Sequence, residues 1–131
     1  MLNHMLLQKK FFLKIKESNL TPGQPKVLEY LSTHDGAIQK EIASSCHIEP
    51  ASITSVLSGM EKAGLVKKQT DPLSKRNVNV FITPQGREKW REIEPVFHQI
   101  DDAALSGFSK EEAEQLNCFL NKIYENLKGC I

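Results

Sequence analysis

The chain has 131 residues, a formal net charge of +1 and 40% hydrophobic residues, enough apolar material for one compact domain or a domain with dimerising arms, and too much for a disordered chain. Gln8, Lys9, Lys10, Lys14 and Lys16 break the opening MLNHMLLQKKFFLKIKE before it could form a signal-peptide core. No later run is long enough to span a bilayer, so a cytoplasmic protein without membrane contact is expected.

The near-neutral total hides an uneven distribution: residues 1–37 carry +2, residues 38–83 carry +2 and residues 84–131 carry −3. An anionic partner would therefore meet the N-terminal and central parts. In chain order, Asn3 to Glu17 reads as a first helix, with Met5, Leu6, Phe12 and Leu13 recurring a heptad apart. In LTPGQPKVLEYLS, Thr21 is placed to cap a second helix with Pro22 at its first position and Pro25 still in its first turn, ending near His34-Asp35-Gly36. A short helix over Lys40 to Cys46 buries Ile42, Ala43 and Cys46.

The next helix starts at Pro50. Ile53, Val56, Leu57 and Met60 fall at i, i+3, i+4 and i+7, one buried stripe, while Ala51, Ser52, Thr54, Ser55, Ser58 and Lys62 occupy the other face. Gly64 stops it. Leu65 to Gln69 and Asn77 to Thr83 are expected to pair as an antiparallel hairpin around a turn that ends in Lys75 and Arg76, with Val78, Val80 and Ile82 facing inward. Thr83-Pro84 opens a long helix with Trp90, Ile93, Phe97, Ile100 and Ala104 in register, which Pro95 should bend or interrupt. Ser109 and Glu112 make a capping box for a last helix carrying Leu116, Phe119, Leu120, Ile123, Tyr124 and Leu127.

The fold expected is mainly α with a small β-hairpin wing: a winged helix-turn-helix flanked by N- and C-terminal dimerisation helices. A helix that enters the DNA major groove needs an apolar face to seat it and short side chains on the opposite face for close approach. The helix from Pro50 meets both needs. Backbone N–H groups near Ala51 and Ser52 would suit a phosphate, and Ser52, Thr54 and Ser55 could reach bases or backbone oxygens. Lys75 and Arg76 at the wing tip would then lie in or beside the neighbouring minor groove. The same architecture also serves modules that bind only protein, so an interaction module without DNA stays open at this point.

Order and spacing carry a resemblance. LTPGQPKVLEYLS, IQKEIASSCHIEPASITSVLSGMEKAGLVKK and DPLSKRNVNVFITPQG, in that sequence, closely resemble the multiple-antibiotic-resistance regulator (MarR) family, strongly over Leu20 to Gly86 and more loosely to the end. The resemblance implies a homodimeric transcriptional regulator, a repressor of a near-palindromic duplex operator, released by a small aromatic or anionic effector. It makes residues 1–131 one domain, with the winged lobe over about 21–86 and dimerisation helices over about 1–19 and 87–131. The dimer contacts expected are Leu6, Phe12, Leu116, Phe119, Leu120, Ile123 and Tyr124, and Tyr30 and Trp90 are the candidate effector-pocket residues. The DNA-binding set is Pro50, Ala51, Ser52, Thr54, Ser55, Ser58, Lys62, Lys75 and Arg76.

Four positions depart from the family pattern. Ser74 stands where an acidic residue commonly precedes the wing's basic pair, Ser55 and Gly59 stand where many relatives have Arg or another long polar residue, and His47 stands where Gly often ends the preceding helix. No Gly-rich phosphate loop, nucleophile elbow or paired acid and base appears, so no enzyme and no cofactor are expected. Cys46, Cys118 and Cys130 lie outside any C-x-x-C spacing, and His4, His34, His47 and His98 have no compact ligand spacing. A metal- or thiol-responsive regulator is the remaining alternative.

Overall fold

The computed structural model describes residues 2–130, except for the side chains of Leu2 and Lys75. Helix α1 (Leu2–Ile15) runs into a 3-10 turn (Lys16–Ser18); then come α2 (Gln24–Thr33), α3 (Gln39–Ser45), α4 (Pro50–Lys62), strands β1 (Val66–Asp71) and β2 (Ser74–Ile82), α5 (Pro84–Ala104) and α6 (Lys110–Lys128). Two compact units result, residues 1–97 and 98–131.

Helix α2 starts later than its sequence suggests. Were Thr21 the cap, its carbonyl would need the N–H of residue 25, and Pro25 has none. The first turn therefore forms around Gly23, in the left-handed region at φ 89°, with the Val27 N–H donating to the Gly23 carbonyl at 3.3 Å. Thr21 is instead held by Gln24, whose Oε1 accepts from the Thr21 N–H at 3.2 Å.

The core of the first unit joins the elements that position the interface. Val27, Leu28 and Leu31 of α2, Ile42 of α3, Ile53, Leu57 and Met60 of α4, Val66, Val80 and Ile82 of the hairpin and Ile93 of α5 form one buried cluster, with Ile15 of α1. Burying such side chains contributes about 1.5–3 kcal/mol each, which fixes α4 against α2, α3 and the wing.

Helix α4 ends in a Schellman motif: Gly64 adopts φ 75°, its N–H donates to Glu61 O, and the Leu65 N–H reaches back to Met60 O at 2.9 Å. Thr83 then fastens the start of α5 to this turn. Its Oγ1 donates to the Gly64 carbonyl at 2.6 Å and accepts from the Gly86 N–H at 2.9 Å, an N-cap with Pro84 at the first helical position. Helix α5 continues unbroken through Pro95. Pro95 and Arg91, whose carbonyl loses its partner, are both exposed, so water can satisfy the freed group. The Ser109–Glu112 capping box of α6 is present in both directions.

Candidate nucleic-acid interface

Helix α4 is seated by one face and open on the other. Ile53 is 2% exposed and Leu57 and Met60 are fully buried, with Val56 half-buried beside them; Pro50, Ala51, Ser52, Thr54, Ser55 and Lys62 are exposed and Ser58 half-buried. The apolar period thus delivers a surface of short and hydroxyl-bearing side chains with a lysine at its C-terminal end. At the helix start the Ser52 and Ile53 N–H groups both donate to the Glu49 carbonyl at 2.9 Å. The Ser52 N–H expected to be open for a phosphate is therefore engaged, and Pro50 has none to offer.

The wing departs from expectation at its tip. Val66 pairs with Ile82 and the register runs regularly to Thr70–Val78, but the next pair is Asp71–Ser74. Lys75, Arg76 and Asn77 are extra residues in β2, and the tip is Pro72-Leu73. Alternation of Val78, Val80 and Ile82 specifies only the paired end of the strand; it carries no information about a bulge beyond Val78. Asp71 braces the tip by accepting the Leu73 N–H at 2.9 Å, and Leu73 is 96% exposed.

The bulge turns Arg76 toward the helices. A groove of about 450 Å³ is lined by Ile38, Gln39 and Lys40 at the start of α3, Pro50 and Ile53 of α4, and Arg76 and Val78 of β2. Arg76 is exposed and takes no part in the Arg87–Asp35 and Lys89–Glu92 ion pairs. The Lys75 side chain lies outside what is described.

A backbone clamp holds the wing against α2 and α3. The Gly36 N–H donates to Val80 O and the Val80 N–H to Ala37 O, each at 2.9 Å, Ile38 bridges to Asn79, and Asp35 Oδ1 accepts the Ile82 N–H at 2.8 Å. Residues 35–38 thus act as a third edge to the hairpin. Asp35 also pairs with Arg87 at 3.3 Å, tying in α5.

One contact at this face was invisible in the sequence. Gln39 Nε2 donates to Thr54 Oγ1 at 2.9 Å, linking α3 to the outer face of α4. Fifteen residues separate the pair, beyond the reach of any helical period.

The two candidate pocket residues have different neighbours. Tyr30 stacks on His34 at 4.3 Å and lines a groove of about 430 Å³ with Lys26, Glu29, Cys46, His47 and Phe97. Trp90 packs on Phe97 at 5.4 Å instead. Cys46 is buried, with Sγ donating to the Lys26 carbonyl at 3.6 Å, and burial pushes its thiol up from 9.0 to about 11. His47 takes a left-handed φ of 54°, the conformation that Gly adopts without cost.

On the end helices, Leu6 is 56% exposed and Phe12 38%, while on α6 Phe119, Leu120, Ile123 and Tyr124 are 50%, 54%, 53% and 44% exposed. Leu116 is half-buried. Among the described residues no group of His, Cys, Asp or Glu side chains could hold a metal ion, and no helix is long and apolar enough to cross a membrane.

A seated helix with an open outer face, preceded by a shorter helix and followed by a hairpin, defines a winged helix-turn-helix. Comparison with known proteins places it further. The MarR family pattern matches residues 20–78. The HTH-type transcriptional regulator YkoM of Bacillus subtilis (strain 168) is 31% identical over 107 residues, covering 82% of this chain and 70% of YkoM. Among solved structures, the S. aureus MepR–DNA complex superposes with a TM-score of 0.84 at 26% identity, covering 97% of this chain and 91% of that one. A MarR-family regulator from Silicibacter pomeroyi shares the fold, with a TM-score of 0.82 at 22% identity over 94% of this chain and 83% of that one. The chain belongs to the MarR family of winged helix-turn-helix transcriptional regulators and, as such, is a regulator and not an enzyme.

Proposed function

We propose that this protein is a homodimeric, cytoplasmic repressor that binds a near-palindromic duplex operator through α4 and the wing. The observation that carries the reading is the outer face of α4, small and hydroxyl-bearing from Ala51 to Ser58, with Arg76 of the wing lining the groove at its first turn. Short side chains allow the helix axis to approach base edges, and an exposed guanidinium suits phosphate or a narrow minor groove. The 26% identical MepR, solved in complex with DNA, supports the same use of the fold.

Under this reading residues 1–131 form one domain. The lobe over about 21–86 contacts DNA through Pro50, Ala51, Ser52, Thr54, Ser55, Ser58, Lys62, Lys75 and Arg76, and the helices over about 1–19 and 87–131 make the dimer. Half-exposed Leu6 and Phe12 on α1, and Phe119, Leu120, Ile123 and Tyr124 on α6, form apolar surface that a second copy would cover, with Leu116 alongside. The groove beside Tyr30 is where a small aromatic or anionic effector would bind, shifting the dimer away from the lobe spacing that fits DNA. Trp90 packs on Phe97, which lines that groove.

Fluorescence anisotropy on mixed duplex DNA at several salt concentrations tests the reading. Affinity should fall steeply and linearly on a log–log plot, because neutralised phosphates release condensed counterions. Salt-independent binding, or none, would favour the protein-interaction module instead.

A further inference from the structure

The Gln39–Thr54 hydrogen bond is out of place as a structural element. Helix α3 is already seated by buried Ile42 and Ala43, and α4 by Ile53, Leu57 and Met60. The bond joins a half-buried side chain to an exposed one, where exchange with water leaves little net stabilisation. What it does accomplish is to fix the direction of a flexible glutamine at the mouth of the groove that Pro50 and Arg76 also line.

A glutamine amide has two N–H donors and a carbonyl acceptor. Thr54 Oγ1 takes one donor at 2.9 Å. The second N–H and Oε1 are left, and this donor–acceptor pair matches N7 and the N6 amino group of adenine in the major groove. Thr54 itself lies on the face of α4 with Ser55 and Ala51, so the pair stands where that helix would meet base edges.

We infer that Gln39 is a specificity-determining residue that, held by Thr54, reads an adenine in each half-site of the operator. The inference rests on the DNA-binding reading above and adds to it a residue outside the recognition helix and the base class it selects.

Selection from a randomised duplex library, with the wild type, Gln39→Ala, Gln39→Glu and Thr54→Val, tests it; circular dichroism checks that each variant is folded. The wild type should enrich an A·T pair at one position per half-site. Gln39→Ala should lose about tenfold preference at that position and keep the others, in line with what one bidentate base contact supplies. Gln39→Glu should redirect the position toward cytosine, since a carboxylate accepts from the cytosine amino group and cannot donate to adenine N7. Thr54→Val, which removes the acceptor at nearly constant shape, should blur the same position. An unchanged preference in Gln39→Ala and Gln39→Glu, or a uniform loss across all sequences as a phosphate contact would give, overturns the assignment while leaving DNA binding intact. A wild type that enriches no sequence overturns both.

Discussion

Arg76 shows how a side chain can sit elsewhere than its local sequence suggests. Two adjacent cations in a turn suggest a wing tip, but the register puts Pro72-Leu73 there and Lys75-Arg76-Asn77 in a bulge of β2. The bulge brings the guanidinium toward the groove at the start of α4. If Arg76 makes the wing's main DNA contact, Arg76→Ala should weaken operator binding by about 1–3 kcal/mol with the fold intact, while Lys75→Ala should chiefly lower the salt slope by about one ion. Anisotropy titrations measure both; unaltered affinity in a folded Arg76→Ala variant would return the cations to an ordinary solvated strand. Cys46 poses a different question at the same scale. Its thiol is raised to about 11 by burial, so the protein should resist alkylation there at about pH 8 while exposed Cys130 reacts. Because the folded-state value lies above the ordinary 9.0, the associated stability is fully present below pH 9.0 and is lost as pH rises through about 11. Peptide mass mapping after brief labelling, and melting temperatures across that window, check the two parts; rapid native labelling of Cys46 would reopen the thiol-responsive alternative.

Among the elements, α4 was legible because its burial repeats at i, i+3, i+4 and i+7, and its outer face follows as the complement of that stripe. The Thr83 cap and the Ser109–Glu112 box were legible for a similar reason: both are hydrogen bonds within three residues. What sequence could not supply was anything set by packing between elements. The clamp of residues 35–38 on β2 and the Gln39–Thr54 bond depend on partners distant in sequence, and the bulge at Lys75 is a register shift that side-chain alternation does not specify. Gly59 belongs to this group. Mid-helix it costs about 1 kcal/mol against Ala, yet a Cβ there would sit 3.3 Å from Gln24 Nε2, so the space is claimed by α2. Gly86 makes the sharper test: a Cβ would overlap the Leu65 carbonyl oxygen and lie 2.9 Å from Ile82 Cγ1. Gly86→Ala should lower stability by about 1–3 kcal/mol through forced separation of α5 from the hairpin. Gly129→Ala, where the nearest atom is 3.7 Å away, should change it little. Urea denaturation of both gives the comparison, and an equal effect from the two would show that the α5 contact is looser than described.

For the whole molecule, the proposed activity depends on two copies. Exposed apolar side chains on α1 and α6 are the reason to expect them, since α6 has no buried residue of its own. A chain lacking Asn117 to Ile131 should be monomeric by light scattering where the full chain is a dimer, and should lose operator affinity as the second recognition helix is no longer tethered. A full-length chain that is monomeric and well folded at micromolar concentration would contradict this. Two-fold symmetry then determines what the DNA must look like: each α4 meets one half-site, and the half-sites repeat about one helical turn apart, roughly 10 bp. Hydroxyl-radical footprinting on a bound genomic site addresses symmetry, spacing and groove use in one experiment. The expected result is two equivalent protected half-sites about 10 bp apart, with minor-groove protection beside each that disappears in Arg76→Ala; a single asymmetric footprint, or no protection at a salt concentration where the protein binds, would contradict the assignment of α4 and the wing to DNA.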